Sequence, residues 1–150
     1  LDDFALDPGK PNLYGLVQGT ANAIAPGKRP LSSMSPTIVL ADGEPVLALG
    51  ASGGPRIITS VLQVLLGVLD EQLPLTDALS RVRLHHQWLP NEVYFDQAPP
   101  AGLGERLQQD GHKLSDERRT GIVQAIQRLS DGEWVGASDP RKGGRPAASP

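Results

Sequence analysis

Two pairs of apolar runs, each joined by an Asp-Gly dipeptide, are the clearest pattern along the chain. Thr37–Ala41 and Pro45–Gly50 form the first pair, and Ile122–Leu129 with Glu133–Ala137 form the second. Asp-Gly is a preferred two-residue hairpin turn, so each pair predicts two antiparallel strands. The first pair is continuously apolar instead of alternating. It is therefore predicted to be buried on both faces, in the middle of a layered fold.

Helical spacing of apolar residues dominates the region between the two hairpins. A helix is predicted over Pro55–Leu73, because proline suits a first helical turn and apolar residues recur at helical intervals after it. The predicted apolar face consists of Ile57, Ile58, Val61, Leu62, Leu65, Leu66 and Leu69. Leu75–Val82, with Thr76 as its cap, and Leu103–Gly111 are predicted to be shorter helices.

The remaining segments are predicted to be loops or short extended pieces. Asn12–Val17 is predicted as a short strand, and Gly19–Pro30 as a loop rich in small residues and turn formers. Strand, hairpin, helices and hairpin in this order predict an α+β layered architecture. Residues 1–140 are expected to form the folded part of one domain, and the Gly-, Pro- and Ala-rich stretch 141–150 a frayed tail.

Composition narrows the class of protein without identifying its chemistry. Of the 150 residues, 39% are hydrophobic, and the net charge of −3 comes from 14 basic and 17 acidic residues. No basic block stands out, so nucleic acid is not an expected partner. The absence of cysteine excludes disulfides and a thiol nucleophile. The longest apolar stretch, Ile57–Leu69, is shorter than the roughly 20 residues that a membrane span needs, which favours a buried helix.

Two short stretches contain groups that can bind an anion. Gly53 and Gly54 leave backbone N–H groups uncovered at the start of a helix, where they can stabilise an oxyanion; the residues alone favour a plain strand-to-helix turn with positive φ. Ser32 and Ser33, beside a Lys-Arg pair, suit a carboxylate ligand or simply shape a turn. The residues leave these two interpretations of the serines open.

Acidic and histidine pairs are the other candidates for chemistry. Asp2 and Asp3 can bind an ammonium group or a metal, although surface solvation is the interpretation that the residues alone favour. His85 and His86 are adjacent, and adjacent histidines are poorly placed to chelate one metal. No carboxylate lies at zinc-site spacing from them, so we expect a structural role for these imidazoles and no metal site.

Seven motifs taken together resemble one family of enzymes. The stretches "DDF", "NLYGLV", "PGKRPLSSMSPTIV", "GASGGPRIIT", "RLHHQWLP", "GIVQAI" and "GASDPR" occur in this order and spacing. The chain resembles the C-terminal part of the small subunit of gamma-glutamyltranspeptidase (gamma-glutamyltransferase, or glutathione hydrolase) from Asp2 to about Arg141. The serine motif and "GGPRIIT" are its most specific parts, and the tail "KGGRPAASP" carries no family signature.

The resemblance implies a fold and a reaction. Members of the family are made as one precursor with a four-layer αββα sandwich of the N-terminal-nucleophile hydrolase type. The precursor cleaves itself, and the new N-terminal threonine of the small subunit attacks the gamma-glutamyl amide of glutathione or a related compound, with its own amine as the base. The acyl-enzyme then passes the glutamyl group to water, an amino acid or a peptide, and no cofactor is implied.

Roles for five residues follow from the positions of the family motifs. Asp3 is expected to bind the alpha-ammonium of the donor, and Ser32 and Ser33 its alpha-carboxylate. The N–H groups of Gly53 and Gly54 are expected to form the oxyanion hole. Binding the amino acid end of the donor would place its gamma-carbonyl against the glycine amides.

The resemblance also implies what this chain lacks. Its threonines are internal and match no nucleophile motif: Thr20, Thr37, Thr59, Thr76 and Thr120. The expected partners are the large subunit and the upstream part of the small subunit from the same precursor. The first residue is Leu1 and the only methionine is Met34, which fits an excised, processed or truncated piece. Alone, the chain is expected to be inactive and unstable.

Two alternatives remain open beside a gamma-glutamyl acyltransferase. One is a non-catalytic homologue that binds gamma-glutamyl compounds or amino acids, and the other is an amidase similar to cephalosporin acylase. The set of Asp3, Ser32 and Ser33 favours a glutamyl donor over the amidase, whereas the residue at the cleavage junction would decide between enzyme and binding protein. The resemblance to bacterial relatives implies a periplasmic or secreted protein, with the cytoplasm as the alternative.

Overall fold

The computed structural model describes residues 3–147. Within this range the chain forms six strands and three α-helices, with a 3-10 turn at Thr20–Asn22. The elements are β1 (Thr37–Ala41), β2 (Glu44–Ser52), α1 (Arg56–Leu69), α2 (Leu75–Ser80), β3 (Leu84–His85), β4 (Tyr94–Phe95), α3 (Leu103–Gln109), β5 (Ile122–Arg128) and β6 (Trp134–Ser138). Both predicted hairpins and the long helix are confirmed; the strand ends shift by one or two residues, and the helix ends at Leu69 instead of Leu73.

One antiparallel sheet organises the fold. Its strand order is β1-β2-β5-β6, so the two hairpins lie side by side with β2 paired to β5. The helices α1 and α2 cover one face of this sheet, and β3 and β4 form a separate two-stranded ribbon. Side chains of β2 and β5, such as Leu47, Leu49 and Val123, interdigitate with Val61 and Val64 of α1. Helices segregated to one face of an antiparallel sheet make an α+β fold, as predicted.

The prediction that the first hairpin is buried on both faces is wrong for this chain. Leu47 and Leu49 point to the helices and are buried, but Ile38 is 68% exposed and Leu40 58% exposed. Trp134 of β6 is also half exposed on the sheet. Helices cover only one face, and among residues 3–147 no element packs on the other. The apolar side chains that β1 directs to this face are therefore left uncovered within residues 3–147.

The apolar face predicted for α1 combines two different sides of the helix. The buried side consists of Ile57, Ser60, Val61, Val64, Gly67 and Val68. The predicted apolar face is wrong for four residues that are exposed: Ile58, Leu62, Leu66 and Leu69. A small residue at Gly67 lets α2 approach closely, since a Cβ there would lie 3.2 Å from the Cβ of Ala78. The side of α1 that faces the core thus includes a polar and a small residue, Ser60 and Gly67, where the spacing of apolar residues alone predicts larger apolar ones.

Two local predictions were also wrong. The predicted strand Asn12–Val17 is a turn, in which the Asn12 side-chain oxygen accepts hydrogen bonds from the N–H groups of Tyr14 and Leu16. Asparagine side chains stabilise turns in this way, and apolar neighbours do not override it here. Helix α2 begins after Pro74 and has no side-chain cap, so Thr76 lies inside the helix instead of capping it.

A buried ionic network connects the helices, the ribbon and the second hairpin. Arg83 is 1% exposed and donates to the Asp139 carboxylate at 2.6 Å and to the carbonyl of Leu79 at 2.6 Å. Burial lowers the pKa of Arg83, an effect that Asp139 partly opposes. For Asp139, burial alone would raise the pKa, but hydrogen bonds from Arg83 and from the N–H of Val123 outweigh it and lower the pKa.

Arg141, the first residue of the predicted tail, belongs to the same network. It donates to Asp96 at 2.6 Å and to Asp139 at 3.2 Å, and its guanidinium also reaches the carbonyls of Leu79 and Arg81. Burial opposes the charged form, but Asp96 and Asp139 outweigh it and raise the pKa of Arg141. The prediction that a frayed tail begins at residue 141 is therefore wrong for Arg141. For residues beyond it the tail stays a prediction, and 148–150 lie outside the described residues.

Candidate active site

A pocket of about 310 Å³ lies between the N-terminal segment and the turn from β2 to α1. Asp3, Ser33 and Gly54 line it together, although 30 and 51 residues separate Asp3 from the other two in the sequence. The volume is at the small end of the range for ligand sites. Three of the five residues that the motifs single out therefore lie around one cavity.

The Gly53-Gly54 turn requires glycine at both positions. The φ angles are +144° at Gly53 and +61° at Gly54, which side chains with a Cβ rarely adopt. A Cβ on Gly53 would lie 2.9 Å from the Cα of Gly121, and one on Gly54 only 2.5 Å from the ring of Tyr14. The interpretation of this stretch as a strand-to-helix turn is thus confirmed.

The amides of this turn are also available to a ligand. In residues 3–147, neither the N–H of Gly53 nor that of Gly54 donates a hydrogen bond to a protein group. Helix α1 begins two residues later at Arg56, so the positive end of its dipole lies beside these amides. Of these two residues, Gly54 lines the pocket and Gly53 does not, so the Gly54 N–H is the donor that an oxyanion bound there could reach.

Asn22 connects the two loop segments that carry the polar side chains of the pocket. Its side-chain N–H₂ donates to the backbone carbonyl of Asp3 at 2.7 Å, and its side-chain oxygen accepts from the N–H of Leu31 at 2.9 Å. The N–H of Ala5 donates to the carbonyl of Asn22 at 3.0 Å. Sequence reasoning did not find this residue, because an asparagine in a small-residue loop gives no sign of which distant backbone it bridges.

The two serines occupy different environments. Ser33 is half-buried and lines the pocket, whereas Ser32 is exposed and outside the lining. The hydroxyl of Ser32 accepts from the N–H of Met34 at 3.3 Å, as in a local turn. Gly53 is likewise not in the lining. The structure therefore brings Asp3, Ser33 and Gly54 together but places Ser32 and Gly53 one residue away. Asp2 lies outside the described residues.

Aromatic and arginine side chains support the loop that covers Gly54. The Arg56 guanidinium carbon lies 5.4 Å from the centre of the Tyr14 ring and 6.0 Å from that of Tyr94, and Arg118 lies 5.3 Å from Tyr94. Burial raises the pKa of Tyr94, although both arginines act in the opposite direction. Cation–π contacts of this kind help to fix the Tyr14 ring against the glycine turn. Composition alone did not indicate them.

His85 has the structural role that the sequence suggested. It is 1% exposed, its Nδ1 lies 2.7 Å from the Thr59 hydroxyl, and its Nε2 lies 2.9 Å from the Gln87 side chain. Burial lowers its pKa, which favours the neutral imidazole. Gln87 in turn donates to the carbonyl of Tyr14, so this histidine helps to place the loop over the pocket.

A model of the gamma-glutamyltranspeptidase family matches residues 1–149. The chain is 48% identical over 141 residues to the glutathione hydrolase proenzyme of Escherichia coli, covering 94% of this chain and 24% of that protein. It is 48% identical over 145 residues to the proenzyme of Pseudomonas aeruginosa, covering 94% and 26%. The chain thus spans about a quarter of the length of these curated relatives.

Solved structures of the same family also resemble this chain. The crystal structure of a mutant gamma-glutamyltranspeptidase from Helicobacter pylori superposes with a TM-score of 0.87 at 47% identity, covering 94% of this chain and 78% of that one. The fold is α+β, and it is part of the N-terminal-nucleophile hydrolase architecture. The chain belongs to the gamma-glutamyltranspeptidase family.

Residues 3–147 contain no candidate for two other kinds of site. Across residues 3–147, no three His, Asp or Glu side chains cluster in a way that could hold a metal ion. In the same residues, no helix combines the length and the apolar character needed to cross a bilayer.

Proposed function

We propose that this chain is part of a gamma-glutamyl acyltransferase or hydrolase that cleaves the gamma-glutamyl amide of glutathione and related compounds. The observation that carries the proposal is the single pocket lined by Asp3, Ser33 and Gly54. Its family supports the same reaction, because curated relatives are named glutathione hydrolase proenzymes.

Each end of a gamma-glutamyl group finds a suitable partner in this arrangement. The Asp3 carboxylate binds the alpha-ammonium, and the hydroxyls of Ser33 and Ser32 donate to the alpha-carboxylate. The amides of Gly53 and Gly54 donate to the oxygen of the gamma-carbonyl as it becomes an oxyanion. Binding of the alpha-ammonium and the alpha-carboxylate thus fixes the position of the gamma-carbonyl relative to the amides of the glycine turn.

The nucleophile comes from another part of the parent polypeptide. None of the chain's five threonines lines the pocket in the described residues. An N-terminal threonine of the small subunit, upstream of this segment, attacks the gamma-carbonyl and forms the acyl-enzyme. Water, an amino acid or a peptide then takes the glutamyl group. The isolated chain is therefore inactive.

The missing partners also account for the uncovered sheet. Ile38, Leu40 and Trp134 form an exposed apolar face on the side of the sheet away from α1. Such a surface in a folded domain marks an interface. The upstream part of the small subunit supplies the second sheet of an αββα sandwich on this face, and the large subunit completes the heterodimer. Our proposal for the compartment is the periplasm or the exterior of the cell.

The direct test uses the full-length polypeptide and three substrates. A chromogenic gamma-glutamyl anilide should be turned over, the alpha-glutamyl anilide should not, and N-acetylation of the gamma-glutamyl anilide should abolish turnover because it removes the ammonium that Asp3 binds. Binding of the gamma-glutamyl compound without turnover would instead make the protein a non-catalytic binding homologue. Preference for an N-acetylated or longer acyl amide would favour an amidase of the cephalosporin-acylase type.

The oxyanion role needs a test that leaves the turn intact. Replacing Gly54 by proline removes the N–H, but proline fixes φ near −65° and so cannot keep the +61° of this position. A glutamate analogue with a gamma-phosphonate carries the oxyanion charge without any substitution. Such an analogue should bind at least about 100-fold tighter than glutamate, because transition-state mimics exploit the donors fully. Equal binding of the two would rule out an oxyanion hole at this turn.

A further inference from the structure

The backbone of Gly121 is fixed by hydrogen bonds on both of its polar groups. Its N–H donates to the hydroxyl of Ser60 at 2.9 Å, and its carbonyl accepts from the Arg83 guanidinium at 2.8 Å. Ser60 is 0% exposed and Arg83 1% exposed, so no water competes for either bond. Gly121 has little freedom to move within this buried setting.

Gly121 in turn sets the position of the Gly53-Gly54 turn. The ladder between β2 and β5 ends with the pair of Ser52 and Ile122, and the next residues, Gly53 and Gly121, are in direct backbone contact. A Cβ on Gly53 would lie 2.9 Å from the Cα of Gly121, so the two backbones pack with no room for a side chain between them. The N–H of Gly121 donates to Ser60 and so does not extend the ladder, which ends at Ser52 and Ile122.

Ser60 is an unexpected residue at its place in α1. The buried side of this helix is otherwise composed of valine, isoleucine and glycine. A buried hydroxyl is unfavourable unless it forms a hydrogen bond, and here it accepts from Gly121. The fit is tight, since a Cβ on Gly121 would lie 2.8 Å from the Ser60 oxygen.

We propose that Ser60 is a positioning residue for the oxyanion turn: its hydroxyl fixes Gly121, which sets the place of the Gly53 and Gly54 amides. This inference rests on the proposed function of the turn, and Ser60 itself touches no substrate. Loss of the hydroxyl should leave the substrate-binding loop intact but loosen the donors. The expected effect is therefore on kcat and not on KM.

The test compares two buried positions of the same helix in the full-length protein. Ser60→Ala removes the hydrogen bond to Gly121. Val64→Ala, one turn further along α1, is equally buried and removes packing without touching that bond. With a gamma-glutamyl anilide as substrate, Ser60→Ala should lower kcat roughly tenfold, less than the ~100-fold or more for losing a direct oxyanion donor. KM should stay within about twofold, and Val64→Ala should keep the wild-type kcat at a temperature where all variants are folded.

A second readout separates this inference from the proposed function. The backbone amide chemical shifts of Gly53 and Gly54, measured by NMR, should change in Ser60→Ala and remain at their wild-type values in Val64→Ala. Changed shifts in a protein whose wild type lacks gamma-glutamyl turnover would leave the positioning role standing and refute the proposed function. Unchanged shifts would refute the positioning role whatever the activity.

Equal loss of kcat in both variants would mean that general destabilisation is responsible, which overturns the inference. If Ser60→Ala does not accumulate as folded protein, Ser60→Cys serves in its place. A thiol is larger than the hydroxyl and a weak acceptor, so it should not hold Gly121 in the same place, and the same split between kcat and KM should follow. Wild-type kcat in Ser60→Cys, with wild-type amide chemical shifts at Gly53 and Gly54, would overturn the inference.

Discussion

The two halves of the pocket are built in different ways. Asp3 and Ser33 lie on loop segments before β1 that are joined by isolated bridges, a few backbone hydrogen bonds and side-chain bonds such as those of Asn22. Gly54 lies on a turn backed by Gly121, Ser60 and the buried sheet. One half thus consists of side chains on irregular backbone, exposed at Asp3 and half-buried at Ser33, and the other is backbone fixed by the core.

This difference predicts how substitutions affect each half of the pocket. Substitutions in the core should lower the free energy of unfolding and also distort the glycine turn, because water cannot replace the buried hydrogen bonds that are lost. Changes in the loop half should weaken binding of the amino acid head and leave stability almost untouched. The following predictions test that division in the full-length protein, beginning with the largest expected effect.

Asp139→Ala should be the most destabilising substitution. It leaves the guanidinium of Arg83 buried and without its carboxylate, and it removes the acceptor of the Val123 N–H. Breaking a buried pair in this way costs about 3–5 kcal/mol. Urea unfolding measures the loss. The control is Asp110→Ala, whose partner Arg106 is exposed at helical spacing and whose loss should cost only about 0.5 kcal/mol. Equal effects of both substitutions would contradict the distinction between core and surface.

Acid should cause a smaller loss of stability through the same carboxylate. The pKa of Asp139 is lowered below its ordinary value of 3.8, so the unfolded chain takes up this proton more readily than the folded one. The stabilisation is then fully present above pH ~4 and is lost as the pH falls through the lower folded value. Urea midpoints between pH 7 and pH 2 should show this decline, and Asp139→Asn should reduce it. An identical acid limb in Asp139→Asn would exclude this carboxylate as its source.

Asp3→Ala should change binding without changing stability. Removal of a charge-assisted hydrogen bond to the alpha-ammonium should raise KM for a gamma-glutamyl anilide by on the order of tenfold or more. The matched control is Asp7→Ala, which lies along the same pocket but pairs with Lys10 on the surface. Its KM should remain near that of the wild type. A shift in the urea midpoint for Asp3→Ala would show that the loop half is not separable from the core.

Substitutions of the two serines should have the smallest effects on KM, and the effect should differ between Ser33 and Ser32. Ser33→Ala should raise KM by about tenfold, as expected at the lower end of the ~1.5–3 kcal/mol of a hydrogen bond to a charged group. Ser32→Ala should have less effect, because Ser32 is outside the pocket lining and its hydroxyl already accepts from the N–H of Met34. A larger effect at Ser32 would mean that the completed protein turns this serine into the pocket.

Local signals predicted the regular elements well. Apolar runs around Asp-Gly turns identified both hairpins, and helical spacing identified α1, because these patterns depend on neighbours in sequence. The strand predicted at Asn12–Val17 was wrong since the Asn12 side chain binds the nearby backbone. Ile58 and Leu62 were misassigned to the core because periodicity measures hydrophobicity and not which side meets the sheet.

The candidate site could be predicted only in part. Motif resemblance selected Asp3, Ser32, Ser33, Gly53 and Gly54, but it could not tell which of them share a pocket. Asn22, Ser60 and Arg56 were missed, because their partners lie far away in the sequence and no local pattern marks a bridging side chain.

The sequence by itself determined the family, the two hairpins, the long helix and the residues that the proposed chemistry uses. Only the tertiary structure decided which face of the sheet is covered, that Arg141 joins the ionic network of Asp96 and Asp139, and that Gly121 backs the glycine turn. The physical reason is the range of the interactions. Turn preferences and apolar spacing act over a few residues, whereas buried hydrogen bonds and close backbone contacts join segments tens of residues apart.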